Sequence, residues 1–380
     1  MAKGLEPQLP SQVNRLWSPS RVPSATSVQP LRDLGPKSCP FLFCRDSQKP
    51  ERSRRPLPGP GGVTQEVVER KRAETPLEAS RLRYLWVTHL AAQVWCEQQM
   101  VYQREQPELG SPENAALLDL GKSIHLAREL EDHDLVPICA TSQEDSWAIK
   151  LLNLLLMIPA LQAGQRVREF PVFGVLEGVF VVGVIDQLGY TPKGELQLNE
   201  LKTRKEASMP SRAQKKKDGF QVSLYKHLFD AMVRGCLGQE SFICHLQLRP
   251  EQPLGPQVRE QALCAGFTAC RFQDLLELAF LNLTFSDLPP IDRLQVEYVH
   301  QETNASLGTQ VVAYEEETVK AEGRYFLAYW KGQRDPKGVE VEEAWKCRHC
   351  AYSEVCRWRM ARAGSPTARI RQKTTRGKQA

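Results

Sequence analysis

The sequence predicts an α/β fold with a mixed central sheet flanked by helices, and three observations carry that reading. Stretches with apolar residues at helical spacing stand before and after a group of strand-length apolar runs. Turn residues bound those runs: the run Val179–Ile185 ends in Asp186, and Gly189, Pro192 and Gly194 precede a second run ending in Glu200-Leu201-Lys202. From Trp147 onward the order reads helix, three strands, helix, strand, the alternation of helices packed on a sheet.

Composition narrows the function classes. An apolar fraction of 41% in 380 residues supports a sizeable core. The longest apolar stretch, around Leu151–Leu156, is too short to span a bilayer, so a soluble protein without a membrane partner is expected. The net charge of +5 is concentrated at the C-terminus, where Arg359–Ala380 holds seven Lys or Arg and no acid. Such a tail suits nucleic acid, an acidic partner or a nuclear import receptor. Eleven cysteines accompany an N-terminus with no continuous apolar signal region. Reduced thiols are therefore expected, and a clustered subset reads as metal-binding.

Residues 1–75, rich in Pro, Ser, Arg and Gly, sustain no period and are expected to be a disordered extension. Their excess of Arg over acid keeps a mitochondrial transit peptide open, against Glu6 and Asp33. Cys39 and Cys44, in CPFLFC, have no matching second pair. Residues 76–360 form the expected folded domain, and 361–380 a basic disordered tail. Leu82, Leu85, Leu90, Val94 and Val101 lie near one stripe, and no Pro interrupts Leu77–Gln106, which predicts one helix carrying Cys96. Ser111-Pro112-Glu113 starts a second helix through Leu117, Leu120, Ile124 and Leu130. His125 stands beside its apolar stripe with Glu129 one turn on; a lone His of this kind is by default a satisfied core residue. Helix is expected near Trp147–Leu156, and strand from Arg166 through REFPVFG. Lys215, Lys216 and Lys217 lead into a helix on which Gln221 and Tyr225, four apart, share a face. Ser241–Leu248 reads as strand, Phe272–Leu281 and Gly323–Trp330 as helix, and Leu294–Val299 and Gln310–Tyr314 as extended chain.

The first chemical candidate lies in the Gly183–Lys202 stretch. Strand alternation puts Glu200 and Lys202 on one face. A hairpin sets Asp186 across from Glu200 with the Lys202 ammonium one step along. Two carboxylates and a lysine at a strand end can hold a divalent cation and help activate a water.

The second candidate is WKCRHCAYSEVCRW. Cys347 and Cys350 have the spacing that points two thiolates at one ion, and Cys356 follows. Tetrahedral coordination is one ligand short. Zinc completed by His349 or a distant residue, and an iron–sulfur cluster completed by a distant cysteine such as Cys96, are equally compatible with the spacing.

The ordered series GKSIH on a helix, GVID, NELK and FQVSLY resembles the RecB-type nucleases of the PD-(D/E)XK superfamily. One cysteine before that core and C-x2-C-x5-C after it is similar to their iron–sulfur branch, and within it to the exonuclease V family, over roughly Pro76–Met360. The resemblance implies a PD-(D/E)XK nuclease core with helical extensions joined by an iron–sulfur cluster. The implied activity is a metal-dependent, single-strand-specific DNA exonuclease releasing short oligonucleotides in DNA repair. Asp186 and Glu200 match its metal-binding carboxylates, Lys202 its catalytic lysine, and His125 a further Mg²⁺ ligand; Mn²⁺ would substitute. Gln221 and Tyr225 match a helix that contacts DNA and supports the site. Cys96, Cys347, Cys350 and Cys356 match the ligands of a 4Fe–4S cluster stapling the C-terminal segment to the Cys96 helix. Ile185 stands where the superfamily has Pro. Lys215, Lys216 and Lys217 would then track phosphates of single-stranded DNA. The implied partners are single-stranded DNA and a single-strand-binding protein, with the protein a monomer. The basic tail favours the nucleus, alongside cytoplasm, with the mitochondrion open. Two competing functions are a DNA-binding module that has lost its chemistry and a zinc-stabilised adaptor. The intact Asp186, Glu200 and Lys202 argue against the first, and metal identification separates the second.

Overall fold

The computed structural model describes residues 15–19, 74–110 and 112–363. Strand β1 (Arg15–Pro19) comes first. Helix α1 (Pro76–Ala79), strand β2 (Leu85–Trp86) and helices α2 (Val87–Trp95) and α3 (Glu97–Glu105) follow. Helix α4 (Pro112–Asp132), strand β3 (His133–Pro137) and helix α5 (Gln143–Gln162) lead into β4 (Val167–Leu176), β5 (Val179–Tyr190) and β6 (Leu196–Arg204). Helices α6 (Arg212–Val233), α7 (Gln239–Leu246), α8 (Pro256–Cys264) and α9 (Phe272–Thr284) precede β7 (Arg293–His300) and β8 (Ser306–Val312). Helices α10 (Glu316–Trp330) and α11 (Arg357–Ala363) close the described chain.

The β4–β5 hairpin organises the sheet. Its turn residues Glu177 and Gly178 have φ of 50° and 79°, the left-handed pair that lets a two-residue turn follow the twist of its strands. β4 occupies one edge of β5 from Val179 to Leu188. The other edge is divided: β2 runs parallel to Val181 and Val182, and β6 runs antiparallel to Gln187–Tyr190. β7 adds parallel to β6, and β8 antiparallel to β7, giving a six-stranded mixed sheet.

Helices cover both faces. Phe170 meets Phe229 of α6 at 5.5 Å between ring centroids, whereas Phe173 meets Trp147 of α5 at 6.1 Å and Phe242 of α7 at 5.2 Å. Side chains an odd number of residues apart on a strand point to opposite faces, so α6 lies on one side and α5 with α7 on the other. Gly183 is a packing requirement: a Cβ there would stand 2.5 Å from the Tyr225 ring, so glycine lets α6 lie close on β5.

Three expectations are corrected. The helix expected through Cys96 is broken there: Cys96 is extended (φ −170°, ψ 115°), ending α2 and starting α3. Ser241–Leu248 is not strand, because its period-2 look hides Phe242 and Leu246, four apart and both buried, on helix α7. The extension 1–75 is not wholly without structure. Arg15–Pro19 pairs antiparallel with β3, buries Leu16 and Trp17, and is tied to α5 by two Asn153 hydrogen bonds, at 2.9 and 3.0 Å. Cys39, Cys44, Ser111 and the tail from residue 364 lie outside the described residues.

Candidate active site

The site forms where β5 and β6 part. Their ladder ends at Gln187 opposite Asn199, one step short of Asp186 and Glu200. Instead of continuing the ladder, Asp186 Oδ2 accepts a hydrogen bond from the Leu201 N–H at 2.8 Å. β6 keeps its position because β7 pairs with it along Gln197–Arg204. From α4, His125 brings Nδ1 to 3.6 Å from the same Asp186 oxygen.

Glu200 and Lys202 share a face, as alternation requires, and α6 locks them together. Lys202 Nζ donates to Glu200 Oε1 at 2.8 Å and to Gln221 Oε1 at 3.0 Å. Gln221 Nε2 donates to Glu200 Oε1 at 2.7 Å and to the Tyr225 hydroxyl at 3.0 Å. Every group in this chain is fixed by a neighbour, with one exception: Glu200 Oε2 is buried and meets no N–H or hydroxyl donor among the described residues, the Glu200 carboxyl lying against that of Asp186. A buried carboxylate oxygen without a donor is costly, and a cation would satisfy it.

Sequence reasoning missed Glu169. Arg168 lies across from Gln187 and Phe170 across from Ile185, so the register sets Glu169 opposite Asp186. Its φ of 56° is left-handed, a conformation costing roughly 1–2 kcal/mol for a residue with a Cβ. His125, Glu169 and Asp186 each bring a donor atom, and these atoms lie within 4.8 Å of one another. The signal was available: counting back from the Glu177-Gly178 turn puts the one acid of REFPVFG opposite the aspartate.

The electrostatics follow from crowding acids in the core. Burial, then the Asp186 charge, pushes Glu200 up to about 7. Burial raises Asp186, against the pull of Lys202 and the Leu201 N–H. Glu169 is raised well above the carboxylate range by burial and by Asp186, Glu129 and Glu200. Burial lowers His125 and outweighs the nearby Glu200 charge. Burial would lower Lys202 as well, but Glu200, Asp218 and Asp186 more than reverse it, so Lys202 is a firm cation. At the rim, Glu129 is buried between Arg15 Nη1 at 3.6 Å and His133 Nε2 at 3.4 Å, and Arg168 pairs with Asp132.

The lysine run diverges. Lys215, Lys216 and Lys217 all lie within α6. Lys216 is 67% exposed and faces Glu322 at 3.6 Å, Lys215 contributes its carbonyl to Gln310, and Lys217 is half-buried.

The cysteines form a separate centre. Cys96 stands at the break between α2 and α3, and Cys347, Cys350 and Cys356 come from the turn at Val341–His349 and the turns before α11. Burial raises Cys96 to about 11, with Cys350, Cys347 and Cys356 adding to the effect, so all four share one neighbourhood. No three of their sulfurs come within 4.8 Å of one another, the only such donor set among the described residues being His125, Glu169 and Asp186. His349 is exposed.

Comparison with known proteins identifies the family. The sequence matches a family described as "Exonuclease V - a 5' deoxyribonuclease" over residues 76–198, 190–274 and 271–359. A Danio rerio protein named Exonuclease V is 50% identical over 289 residues, which cover 76% of this chain and 73% of that protein. Among solved structures, the crystal structure of SSO0001 aligns with 72% of this chain and 86% of its own at 14% identity, with a TM-score of 0.35. The matched residues include both carboxylate strands, the Gln221–Tyr225 helix and all four clustered cysteines, and the chain belongs to the exonuclease V family.

Proposed function

We propose that the protein is a metal-dependent, single-strand-specific DNA exonuclease whose sheet is a PD-(D/E)XK nuclease core. The observation that carries the proposal is the half-buried meeting of Asp186, Glu169 and His125, next to the buried Glu200 carboxylate that the Lys202 ammonium holds. Hard oxygen donors with one imidazole suit Mg²⁺, with Mn²⁺ as a substitute. A cation held there supplies the acidity that turns a water into a nucleophile near neutral pH and draws charge from phosphate oxygens.

The side chains do the rest. Asp186, fixed by the Leu201 N–H, and Glu200, fixed by Gln221 and Lys202, present oxygens whose directions are set before substrate arrives. With its pKa raised, Lys202 stays protonated at neutral pH; it serves as a fixed positive charge where negative charge develops on phosphorus, and not as the base. Gln221 and Tyr225 hold that lysine and glutamate in register.

For the cysteine centre we favour a 4Fe–4S cluster over zinc. Four thiolates on one zinc would stand about 3.8 Å apart, from a Zn–S bond of about 2.3 Å, and sulfurs set wider suit the larger group. Its proposed role is mechanical, joining the C-terminal segment to the α2–α3 break. Single-stranded DNA is the proposed partner, genome maintenance in the nucleus the proposed setting, and attack from the 5′ end the polarity that the family description supports.

The test is end-labelled single-stranded and duplex DNA incubated with Mg²⁺ and wild-type or Asp186→Ala protein. Wild type should shorten the single strand and spare the duplex, and the variant should leave both intact. Equal cutting by the two proteins, or none by either, removes the proposal.

A further inference from the structure

Resting on the nuclease reading, we propose that Lys217 binds a phosphate oxygen of the substrate at the catalytic centre, beside Lys202. The observation is a stripe along α6. Lys217, Gln221 and Tyr225 are spaced i, i+4, i+8 and therefore lie one above the other on one face of the helix. That face is the one turned to the site: Gln221 lies 3.0 Å from Lys202 Nζ and 2.7 Å from Glu200 Oε1, and Tyr225 supports Gln221 from the turn below. Lys217 occupies the turn above. Its neighbour Lys216 points away, toward Glu322 of α10 at 3.6 Å.

A lysine is taken fully out of water almost only when it is paired, and Lys217 is half out of it. Lys217 makes no ion pair or hydrogen bond among the described residues. The adjacent Asp218 is taken: it accepts from Tyr298 at 3.1 Å and from Gln214 at 2.9 Å. Burial and the Lys202 charge both press on Lys217, and the nearby Asp218 charge offsets them only in part. Two ammoniums therefore face one region, and Lys202 alone has a carboxylate bonded to it. An anion from outside is the partner that relieves this arrangement, and a phosphodiester brings one to the place where the carboxylates would hold a cation.

The experiment compares full-length wild type, Lys217→Met (which keeps the apolar stem), Lys217→Arg and the exposed turn control Lys193→Gln. Single-turnover cleavage of a labelled oligothymidylate is measured in Mg²⁺, and binding of the same oligonucleotide in Ca²⁺ across a salt series. Lys217→Met should cut roughly 10²-fold more slowly, the effect of losing one donor to developing charge. The slope of log affinity against log salt should fall by about 0.7, one single-strand phosphate contact. Lys217→Arg should recover most of both, Lys193→Gln should match wild type, and melting temperatures should agree. Wild-type rate and salt slope in Lys217→Met overturn the assignment, as does an Arg variant no better than Met. A wild type that binds with the expected slope change but does not cut would leave the phosphate contact standing and remove the nuclease reading.

Discussion

The two proposed metal centres, one of carboxylates and one of thiols, are built on opposite principles. The carboxylate centre is rigid through its backbone: Asp186, Glu200 and Lys202 sit on strands locked between β4 and β7. The thiol centre draws on short turns and a helix break some 250 residues apart in sequence, a loop closure that costs entropy. Side chains hold it instead. Arg334 pairs with buried Glu97 at 2.5 Å, the Lys337 N–H bonds Glu97 at 2.6 Å, and Tyr102 stacks on Tyr352 at 5.9 Å. Lys346 donates to the Trp95 carbonyl at 3.2 Å and lies 4.5 Å over its ring. Damage to the first centre should therefore remove chemistry and leave the fold, whereas damage to the second should loosen the fold around intact chemistry.

The largest expected effect breaks the first half of that contrast. Lys202→Met or Asp186→Ala should cost at least roughly 10³-fold in single-turnover rate with an unchanged circular dichroism spectrum; unfolding instead would show that the site supports the sheet. Next, Cys350→Ser should lose iron and sulfide and open the segment around Gly332–Cys356 to limited proteolysis, while Mn²⁺ binding at the carboxylates persists. Glu97, Arg334 and Tyr102 should keep part of the segment docked, so removing Arg334 as well should increase the cleavage further.

A smaller loss should follow Glu169→Gln: about 10- to 100-fold in rate, with a higher Mg²⁺ concentration for half-maximal activity, if that residue is a ligand and not only a neighbour. The smallest effect has the opposite sign. Glu200 carries a pKa of about 7 in the cation-free fold, above its ordinary value near 4.3. The folded state keeps a proton that the unfolded chain has already lost, so stability should fall as pH rises from about 4.5 to about 7. Scanning fluorimetry should show that decline in wild type, its reversal by Mg²⁺, and a shallower decline in Glu200→Gln, where the raised Asp186 and Glu169 still contribute. That variant should melt several degrees higher near neutral pH while losing activity.

Much of the sheet was legible because its strands carry apolar runs punctuated by turns, and Asp186, Glu200 and Lys202 mark where those runs give way, although β5 and β6 continue past them. The helices gave less certain signals. At Cys96 no Gly or Pro marks the break; the extended geometry there comes from tertiary docking of α3 against the C-terminal segment. At α7 a strand-like alternation lost to the packing of Phe242 among Trp147, Phe173 and Phe180. Glu169 was hidden for another reason: it sits inside an apolar strand, and only the hairpin register reveals what it faces. Strand β1 could not be read at all, because Arg15–Pro19 acquires its shape from pairing with β3 and from Asn153.

The most direct test of the carboxylate centre is a crystal of the full-length protein soaked in Mn²⁺, read by anomalous scattering at the manganese edge. The expected result is a peak among His125, Glu169, Asp186 and Glu200 Oε2 that vanishes in Asp186→Ala. No peak there, or one that survives the substitution, would contradict the assignment of these residues as the catalytic metal site.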